Sequence, residues 1–471
     1  MSYLKREKRR KIYTLLLTFI MCITAVGCKK NDAINETKNQ EEEATNDSVE
    51  NLEEEQATTT DSQEQEEESV QEEQEEVTEA EDDEQDEYQQ MIQKTLLSTG
   101  NNSRLKKAIQ KAKNGEDVTL AYIGGSITEG ANSTEDKNYV TLSYNYFKDT
   151  FATNPDSVHL MNAGMSGTPS SLGIIRYDRD VIEKAETQPD VIFIEFAVND
   201  YQECTNGEAY ESMIRKALSA ENEPAVVLVF SVFKSRWNIQ ETYIPLGNYY
   251  ELPMVSIRNG VNWALDEEKS ISEAEYFSDD YHPTDFGHQI MADCIDYLWN
   301  TVDSQEAAAE DITIPEASKI GDAYVNEFML DSSMSGTTTV AGREVTIDTG
   351  SFTSVDSLVA HFNYSGEAIF PLNWMHSASS EANDPLKIQA NCKTMLLVYK
   401  SSNSQTAGSV EILVNGEVVK TVDSYNAGGW NNAETVSVFA NDEAQDATIE
   451  IRMKDGDESK DFTILAIGLS D

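Results

Sequence analysis

The chain has 471 residues, with 85 acidic side chains against 35 basic ones and a net charge of −50. This balance argues against a nucleic-acid partner, because a phosphate backbone attracts Lys and Arg. The length exceeds what one ordinary hydrophobic core needs and predicts two or three domains.

The first 28 residues have the pattern of a targeting segment. A basic start, KREKRRK, precedes the apolar run IYTLLLTFIMCITAVG and then Cys28. The run is short for a transmembrane helix and typical of a signal peptide. It resembles a bacterial lipoprotein signal, although Ala25 stands where that family usually has Leu. The resemblance implies a lipid anchor on Cys28 in the cell membrane, with the protein facing the extracellular side. An ordinary signal peptide or an uncleaved anchor is the alternative.

Residues 29–92 are predicted to be a disordered acidic linker. Residues 31–90 alone contain 26 Asp or Glu and one Lys, with few apolar side chains. Such a segment cannot bury enough surface to offset its ordering entropy, and like charges keep it extended. We interpret it as a tether between membrane and folded protein, a specific acidic binding function being the alternative. The spacing of Cys204, Cys294 and Cys392 suggests neither a disulfide framework nor a metal site, so buried free thiols are expected.

Residues 93–303 alternate between strand-like and helix-like patterns. The strand candidates are continuously apolar: VTLAYIG, SVHLMNA, DVIFIEFA and AVVLVFSVF. The helix candidates between and around them include SRLKKAIQKAKN, NYVTLSYNYFKDTF, EAYESMIRKALSAE and FGHQIMADCIDYLWNTV. Strands that are apolar at every position fit a parallel sheet covered on both faces by helices. This part is therefore predicted to be one α/β domain.

Residues 304–315 are predicted to be a linker, and residues 316–471 a second domain of antiparallel β-sandwich type. Alternating strands such as SVEILV and EVVKTVD are separated by turn residues, and VNGE is a hairpin signal. Trp374 and Trp430 in this domain could stack on sugar rings; core or interdomain packing is the alternative for each.

The stretch AYIGGSITEG raises the question of why two glycines precede Ser126 directly after a predicted strand. Ligands of open parallel sheets bind beyond the carboxyl ends of the strands, where glycine allows tight turning and close approach. Ser126 could thus be a nucleophile, which requires a base and an oxyanion site. A plain strand-to-helix turn is the alternative.

Candidates for the other parts of such a site follow. His282 and Asp279 stand three residues apart in FSDDYHPTDFGH, so one turn could supply an imidazole and the carboxylate that orients it. Gly167 and Asn199 follow the second and third strands at the same predicted edge. With the Ser126 N–H they would offer three donors to a developing oxyanion, although each alone would be an ordinary turn residue.

These blocks together resemble the GDSL, or SGNH, hydrolase family. The resemblance covers about residues 93–303 and is carried by GGSI at Ser126, Gly167 in NAGMSG, Asn199 in AVND and the pair Asp279 and His282. It implies a three-layer αβα sandwich and a serine esterase that uses no metal or cofactor. Gly125 departs from the family's Asp and Ala197 from its Gly, which weakens any transfer of substrate preference.

A surface tether and a β-sandwich beside a hydrolase suggest a carbohydrate esterase that removes acetyl groups from extracellular polysaccharide. Arg236, Trp237 and Gln240, after the fourth strand, are candidate substrate contacts; core or surface roles are the alternative. Two other functions stay open at this point. One is a lipase, thioesterase or acyltransferase of the same fold, and the other is a non-catalytic glycan-binding protein at the cell surface.

Overall fold

The computed structural model describes residues 85–360 and 368–471. The chain divides into two units, residues 1–88 and 89–471; of the first, only the helical residues 85–88 are described. The predicted signal peptide, Cys28 and nearly all of the acidic linker lie outside the described residues. Within the described ranges, every helix is too short or too polar to cross a bilayer.

The first domain is built on a six-stranded sheet that is parallel except at one edge. Its order is β1-β6-β5-β4-β2-β3, and β1 alone pairs antiparallel with its neighbour. The strands are β1 (Leu96–Ser98), β2 (Val118–Gly124), β3 (Val158–Gly164), β4 (Val191–Glu195), β5 (Ala225–Phe230) and β6 (Met254–Ser256). Strands β2, β4 and β5 are buried at every position, as their apolar sequences predicted. The direction of winding reverses between β2 and β4, which is where such sheets bind ligands.

Helices cover both faces of this sheet. They include α1 (Ser103–Asn114), α2 (Ser126–Glu129), α3 (Tyr139–Phe151), α4 (Ser170–Tyr177), α5 (Glu208–Leu218), α6 (Gln240–Tyr249), α7 (Ile257–Asn262), α8 (Glu273–Tyr276) and α9 (Asp285–Ser304). Alternate strand residues face opposite layers. Phe193 packs edge-on against Trp299 of α9, whereas Ile192 and Ile194 join the cluster formed with α4, α5 and α6. The predicted three-layer αβα arrangement is confirmed.

In its described residues the second domain has nine strands, and all of the paired strands run antiparallel. They are β7 (Phe328–Leu330), β8 (Gly336–Val340), β9 (Arg343–Asp348), β10 (Trp374–His376), β11 (Leu386–Ser402), β12 (Ser409–Val414), β13 (Glu417–Asp423), β14 (Trp430–Met453) and β15 (Phe462–Ser470). The long strands β11 and β14 pair with each other and with shorter strands on either side, so the hydrogen bonding is continuous around one apolar core. Asn415 and Gly416, both with positive φ, form the hairpin turn predicted from VNGE.

The two domains share buried apolar surface rather than being joined by a free tether. Side chains of α4 and α5 belong to the same cluster as Leu396, Val398 and Leu465 of the second domain. The stretch that precedes β7 is also bound to the first domain. The buried carboxylate of Glu211 accepts main-chain N–H groups of residues 319–321. Residues 89–471 therefore form one compact unit in which the domains have a defined mutual placement.

The described cysteines Cys204, Cys294 and Cys392 are free thiols in the structure. Cys294 and Cys392 are buried, and Cys204 is partly buried. Burial raises the pKa of the Cys204 and Cys392 thiols to about 11. All three therefore remain protonated thiols near neutral pH.

One buried acid makes the stability of this unit depend on pH. Burial, with a smaller contribution from nearby Asp293, raises the pKa of Asp296 in α9 to about 9. Its Oδ1 has no hydrogen-bond partner among the described residues. The unfolded chain ionises this group near pH 4, so the folded state binds the extra proton between about pH 4 and pH 9. Stability from this group is therefore lost as the pH rises through that window.

Asp296→Asn should remove this loss because the amide cannot ionise. We expect equal melting temperatures for variant and wild type near pH 4, and an increasing advantage for the variant up to about pH 9, measured by thermal denaturation. Asp149→Asn, on the exposed face of α3, serves as the matched control and should give no such divergence. A difference for Asp296→Asn that is constant across pH would contradict the assignment.

Candidate active site

The two glycines before Ser126 allow three chain segments to meet. A Cβ at Gly124 would overlap the Thr128 hydroxyl and the carbonyl of Glu195, and one at Gly125 would overlap the side-chain amide of Asn199. The glycines therefore make room for the first turn of α2 and for the loop after β4. This answers the question that the sequence raised: close approach of backbone and side chains requires them.

Ser126 lies early and His282 late in the sequence of the α/β domain, and the fold brings their side chains together. The His282 Nε2 lies 2.9 Å from the Ser126 Oγ, and its Nδ1 lies 2.8 Å from Oδ2 of Asp279. A serine bonded to an imidazole that a carboxylate orients is the arrangement that supports attack on an acyl carbonyl. The structure thus juxtaposes the three side chains that the two motifs singled out.

The Asp279 carboxylate accepts four hydrogen bonds. Oδ1 accepts the main-chain N–H groups of Tyr281 and His282, each at 2.7 Å, and Oδ2 also accepts Nδ2 of Asn132 at 2.7 Å. Burial alone would raise the pKa of Asp279, but the bonds from His282 and the main chain outweigh it and hold the pKa below its usual range. The carboxylate therefore stays ionised, which favours an N–H on the facing His282 nitrogen.

Asn132 was missed by the sequence analysis. It lies in the loop after α2 with a positive φ of 64°, a conformation that Asn adopts more readily than most residues. Its position after GGSITEG was the only signal, and nothing in that position indicates contact with a carboxylate 147 residues away.

The candidate oxyanion donors lie on loops at the same edge. Asn199 lies against Gly125, which directly precedes α2. Gly167 has a φ of +71° in the loop between β3 and α4, and the Met165 N–H of that loop bonds to the Gly124 carbonyl at 3.0 Å. These contacts bring both loops to the end of β2 where Ser126 begins α2.

The three candidate substrate contacts have different surroundings. Gln240 is buried and its side chain bonds to those of Asn238, Ser256 and Asn259, so it supports the interior. Arg236 is engaged by the carboxylates of Asp266 and Glu273. Gln240 is therefore part of the interior, and Arg236 is held by ion pairs within the protein.

Trp237 instead belongs to an aromatic row that leads to His282. Its ring lies 5.4 Å from that of Tyr201 and 6.1 Å from Phe233, which contacts Tyr281 at 5.2 Å. Tyr281 is 55% exposed and Tyr201 65% exposed. We call residues Tyr201, Phe233, Trp237 and Tyr281 the aromatic row.

Trp374 and Trp430 of the second domain also differ in burial. Trp374 is 1% exposed within the β-domain core, so it takes the packing role that was the alternative for it. Trp430 is 39% exposed, and its ring packs on Gly167, whose Cβ, if present, would be 3.1 Å from Cζ2. The second domain therefore contributes a side chain beside the candidate oxyanion loop.

Two buried acids, Glu195 and Asp200, lie on either side of Asn199 in the sequence. Burial raises the pKa of Glu195, at the end of β4, and of Asp200, directly after Asn199, to about 7 each. Asp200 accepts the Ser170 N–H at 2.7 Å and the Tyr243 hydroxyl at 2.5 Å. Among the described residues, no group of three or more His, Cys, Asp or Glu side chains is placed to hold a metal ion.

Comparisons with known proteins give a matching family model and similar solved structures. Residues 122–290 match the model of the GDSL-like lipase/acylhydrolase family. The chain is 25% identical to a two-domain esterase (CEX) active on acetylated mannans, over 81% of this chain and 98% of that one, with a TM-score of 0.67. A structure of such an esterase co-crystallized with mannopentaose gives the same identity and coverage and a TM-score of 0.65. A search of curated proteins found no match.

The fold and the family match define a carboxylic ester hydrolase. Its α/β domain matches the model of the GDSL-like lipase/acylhydrolase family over residues 122–290, and the similarity to the two-domain esterase extends through the β-domain. The family resemblance found in the sequence is confirmed.

Gly125→Ala should lower activity through Asn199. The added Cβ displaces the flexible amide, and loss of an oxyanion donor typically costs a factor of about 10²–10³ in kcat. Ester hydrolysis by Gly125→Ala, Asn199→Ala and the double variant would be compared. Because Asn199→Ala vacates the space, we expect the double variant to be no slower than Asn199→Ala alone. Full activity in Gly125→Ala, or additive losses in the double variant, would contradict this account.

Proposed function

We propose that this protein is a serine esterase that removes acetyl groups from an extracellular polysaccharide. The single observation that carries the chemistry is the hydrogen-bond chain from Ser126 through His282 to Asp279. The proposal assigns Ser126 as nucleophile, His282 as general base and acid, and Asp279 as the group that orients the imidazole.

The reaction proceeds through an acyl-enzyme. Ser126 Oγ attacks the acetyl carbonyl carbon while His282 Nε2 takes the hydroxyl proton, and the Ser126 and Gly167 N–H groups and the Asn199 amide stabilise the oxyanion. The intermediate collapses as the sugar oxygen leaves with the proton from His282. Water, deprotonated by His282, then attacks the acetyl-serine, releasing acetate and restoring Ser126.

Two observations support a carbohydrate as the alcohol part of the ester. The aromatic row and Trp430 place exposed rings beside His282 and Gly167, and amphipathic ring faces are suited to stacking on sugars. The two-domain esterase to which the chain is similar along both domains acts on acetylated mannans. An acetylated mannan is therefore the polymer that we propose first.

We also propose an extracellular location through a lipid anchor on Cys28. The basic start, the short apolar run and the cysteine support it, and an acidic extended segment would carry the hydrolase away from the membrane. This position would give the enzyme access to polymers that cannot enter the cell.

Acetate release from a chain beginning at residue 29 tests the catalytic assignment. The substrates are p-nitrophenyl acetate, acetylated mannan and acetylated xylan, with p-nitrophenyl octanoate and an acyl-CoA included for the lipase and thioesterase alternatives. Wild type should release acetate, and Ser126→Ala should lose at least about a thousandfold in kcat. Ser133→Ala, a nearby serine on the loop after α2, is the matched control and should remain active.

Each outcome separates the alternatives. Higher kcat/KM on acetylated mannan than on the model ester supports the carbohydrate assignment, whereas preference for octanoate or acyl-CoA contradicts it. Unchanged activity in Ser126→Ala refutes the nucleophile. Inactivity of wild type on every ester would favour a binding protein.

The proposed lipid anchor is tested with two variants, Cys28→Ser and its control Cys22→Ser. When the full chain is expressed in a bacterium that processes lipoproteins, labelling with a fatty-acid analogue should modify wild type and Cys22→Ser but not Cys28→Ser. Equal labelling of Cys28→Ser and wild type would refute the anchor.

A further inference from the structure

The loop that carries Gly167 depends on a buried carboxylate that the sequence analysis did not assign. Glu129 is the last residue of α2, the four-residue helix that begins at Ser126. It is 4% exposed, and its Oε2 accepts the Ser166 N–H at 2.8 Å as well as the Ser166 hydroxyl. Ser166 directly precedes Gly167, so both donors of that residue are bound to the nucleophile helix.

Two bonds to one residue fix its orientation as well as its position. The next peptide group contains the Gly167 N–H, the proposed oxyanion donor, and its direction depends on how Ser166 is held. Gly167 has a φ of +71°, a region open to glycine and costly for most residues. A loop with this freedom needs an external contact to keep one N–H aimed at a reacting carbonyl.

The backbones of the two segments are also in close contact. A Cβ at Gly164 would overlap the main chain of Glu129, and the Asn162 side chain donates to the Thr128 carbonyl at 3.0 Å. The end of β3 therefore packs directly on α2.

A carboxylate behind a site where negative charge develops needs a compensating cation. Arg176 of α4 is a buried cation in this region: it is 1% exposed, pairs with Asp180 at 3.4 Å, and donates to the Ala163 carbonyl at 2.6 Å and to the Gly124 carbonyl at 3.1 Å. Burial lowers the pKa of Arg176, while the charges of Asp180 and Glu129 oppose that shift. Cation and carboxylate thus hold the ends of β2 and β3 and the loop between β3 and α4.

We propose that Glu129 is a positioning residue that aims the Gly167 N–H at the oxyanion by holding both donors of Ser166. This rests on the proposed esterase function, and it assigns to Glu129 no contact with the substrate. The effect should appear in steps that pass through an oxyanion and not in binding of the uncharged ester.

The test uses p-nitrophenyl acetate kinetics, inhibition by methylboronic acid and thermal denaturation. Methylboronic acid forms a tetrahedral adduct with a reactive serine and places an oxygen where the oxyanion would lie. Glu129→Ala should lower kcat by about 10–100-fold, as expected for a misplaced donor, with KM within about twofold. The inhibition constant for the boronic acid should rise by a similar factor at a temperature well below melting.

Three further variants separate positioning from charge and from folding. Glu129→Gln keeps an oxygen that accepts both donors and should restore most of kcat. Glu135→Ala removes an exposed carboxylate nearby and should match wild type. Ser166→Ala removes the hydroxyl but keeps the N–H bond, so a few-fold loss is expected, and this variant decides the matter if Glu129→Ala does not fold.

The outcomes distinguish this inference from the proposed function. If wild type is an active esterase and Glu129→Ala has a lower melting temperature but unchanged kcat and boronic acid affinity, Glu129 is only structural and the inference is overturned. A Glu129→Gln variant as slow as Glu129→Ala would overturn the hydrogen-bond account as well. An inactive wild type would instead refute the esterase proposal.

Discussion

The candidate active site depends on the register of three parallel strands at one edge of the sheet. Main-chain hydrogen bonds place Gly124 of β2 beside Gly164 of β3 and Glu195 of β4. The loops that follow these positions carry Ser126, Gly167 and Asn199. Because each strand ends at the same level, each loop begins within reach of the others, and glycine at two of the three positions lets the segments touch. A shift of one strand by a single residue would separate Ser126 from the candidate oxyanion donors.

The charges around this edge are arranged in two different ways. Asp279, near the surface, accepts four hydrogen bonds and stays ionised, as a group that orients an imidazole must. Glu195 and Asp200, in the interior, have pKa values raised to about 7 by burial. The Asp279 carboxylate is thus stabilised by hydrogen-bond donors, whereas Glu195 and Asp200 lie in the interior, where ionisation is unfavourable. Both arrangements follow from distance to solvent and from the number of N–H groups facing each carboxylate.

The second domain is part of the same folded unit. Its strands share an apolar cluster with α4 and α5, and Trp430 reaches the loop that carries Gly167. Shared apolar burial resists relative motion far better than a flexible linker does. The surroundings of the candidate active site therefore include both domains, and the similarity to a two-domain esterase covers both as well.

The sequence alone determined much of this protein. Continuous apolar runs predicted the buried parallel strands, alternating runs with Asn-Gly turns predicted the antiparallel domain, and short motifs predicted Ser126, Asp279, His282, Gly167 and Asn199. These features are local, since periodicity, turn chemistry and motif spacing are written within a few residues. Trp237 and Gln240 show the limit: they lie three residues apart, yet one joins the aromatic row and the other is buried.

Only the tertiary structure decided which distant groups support the site. Asn132 reaches Asp279 across 147 residues, Glu129 holds Ser166 across 37, and Trp430 approaches Gly167 from another domain. No local pattern encodes such pairs, because their energy arises only when separate segments pack and exclude water. The sequence therefore specified the candidate site residues, and the packing of loops at the sheet edge decided what holds and surrounds them.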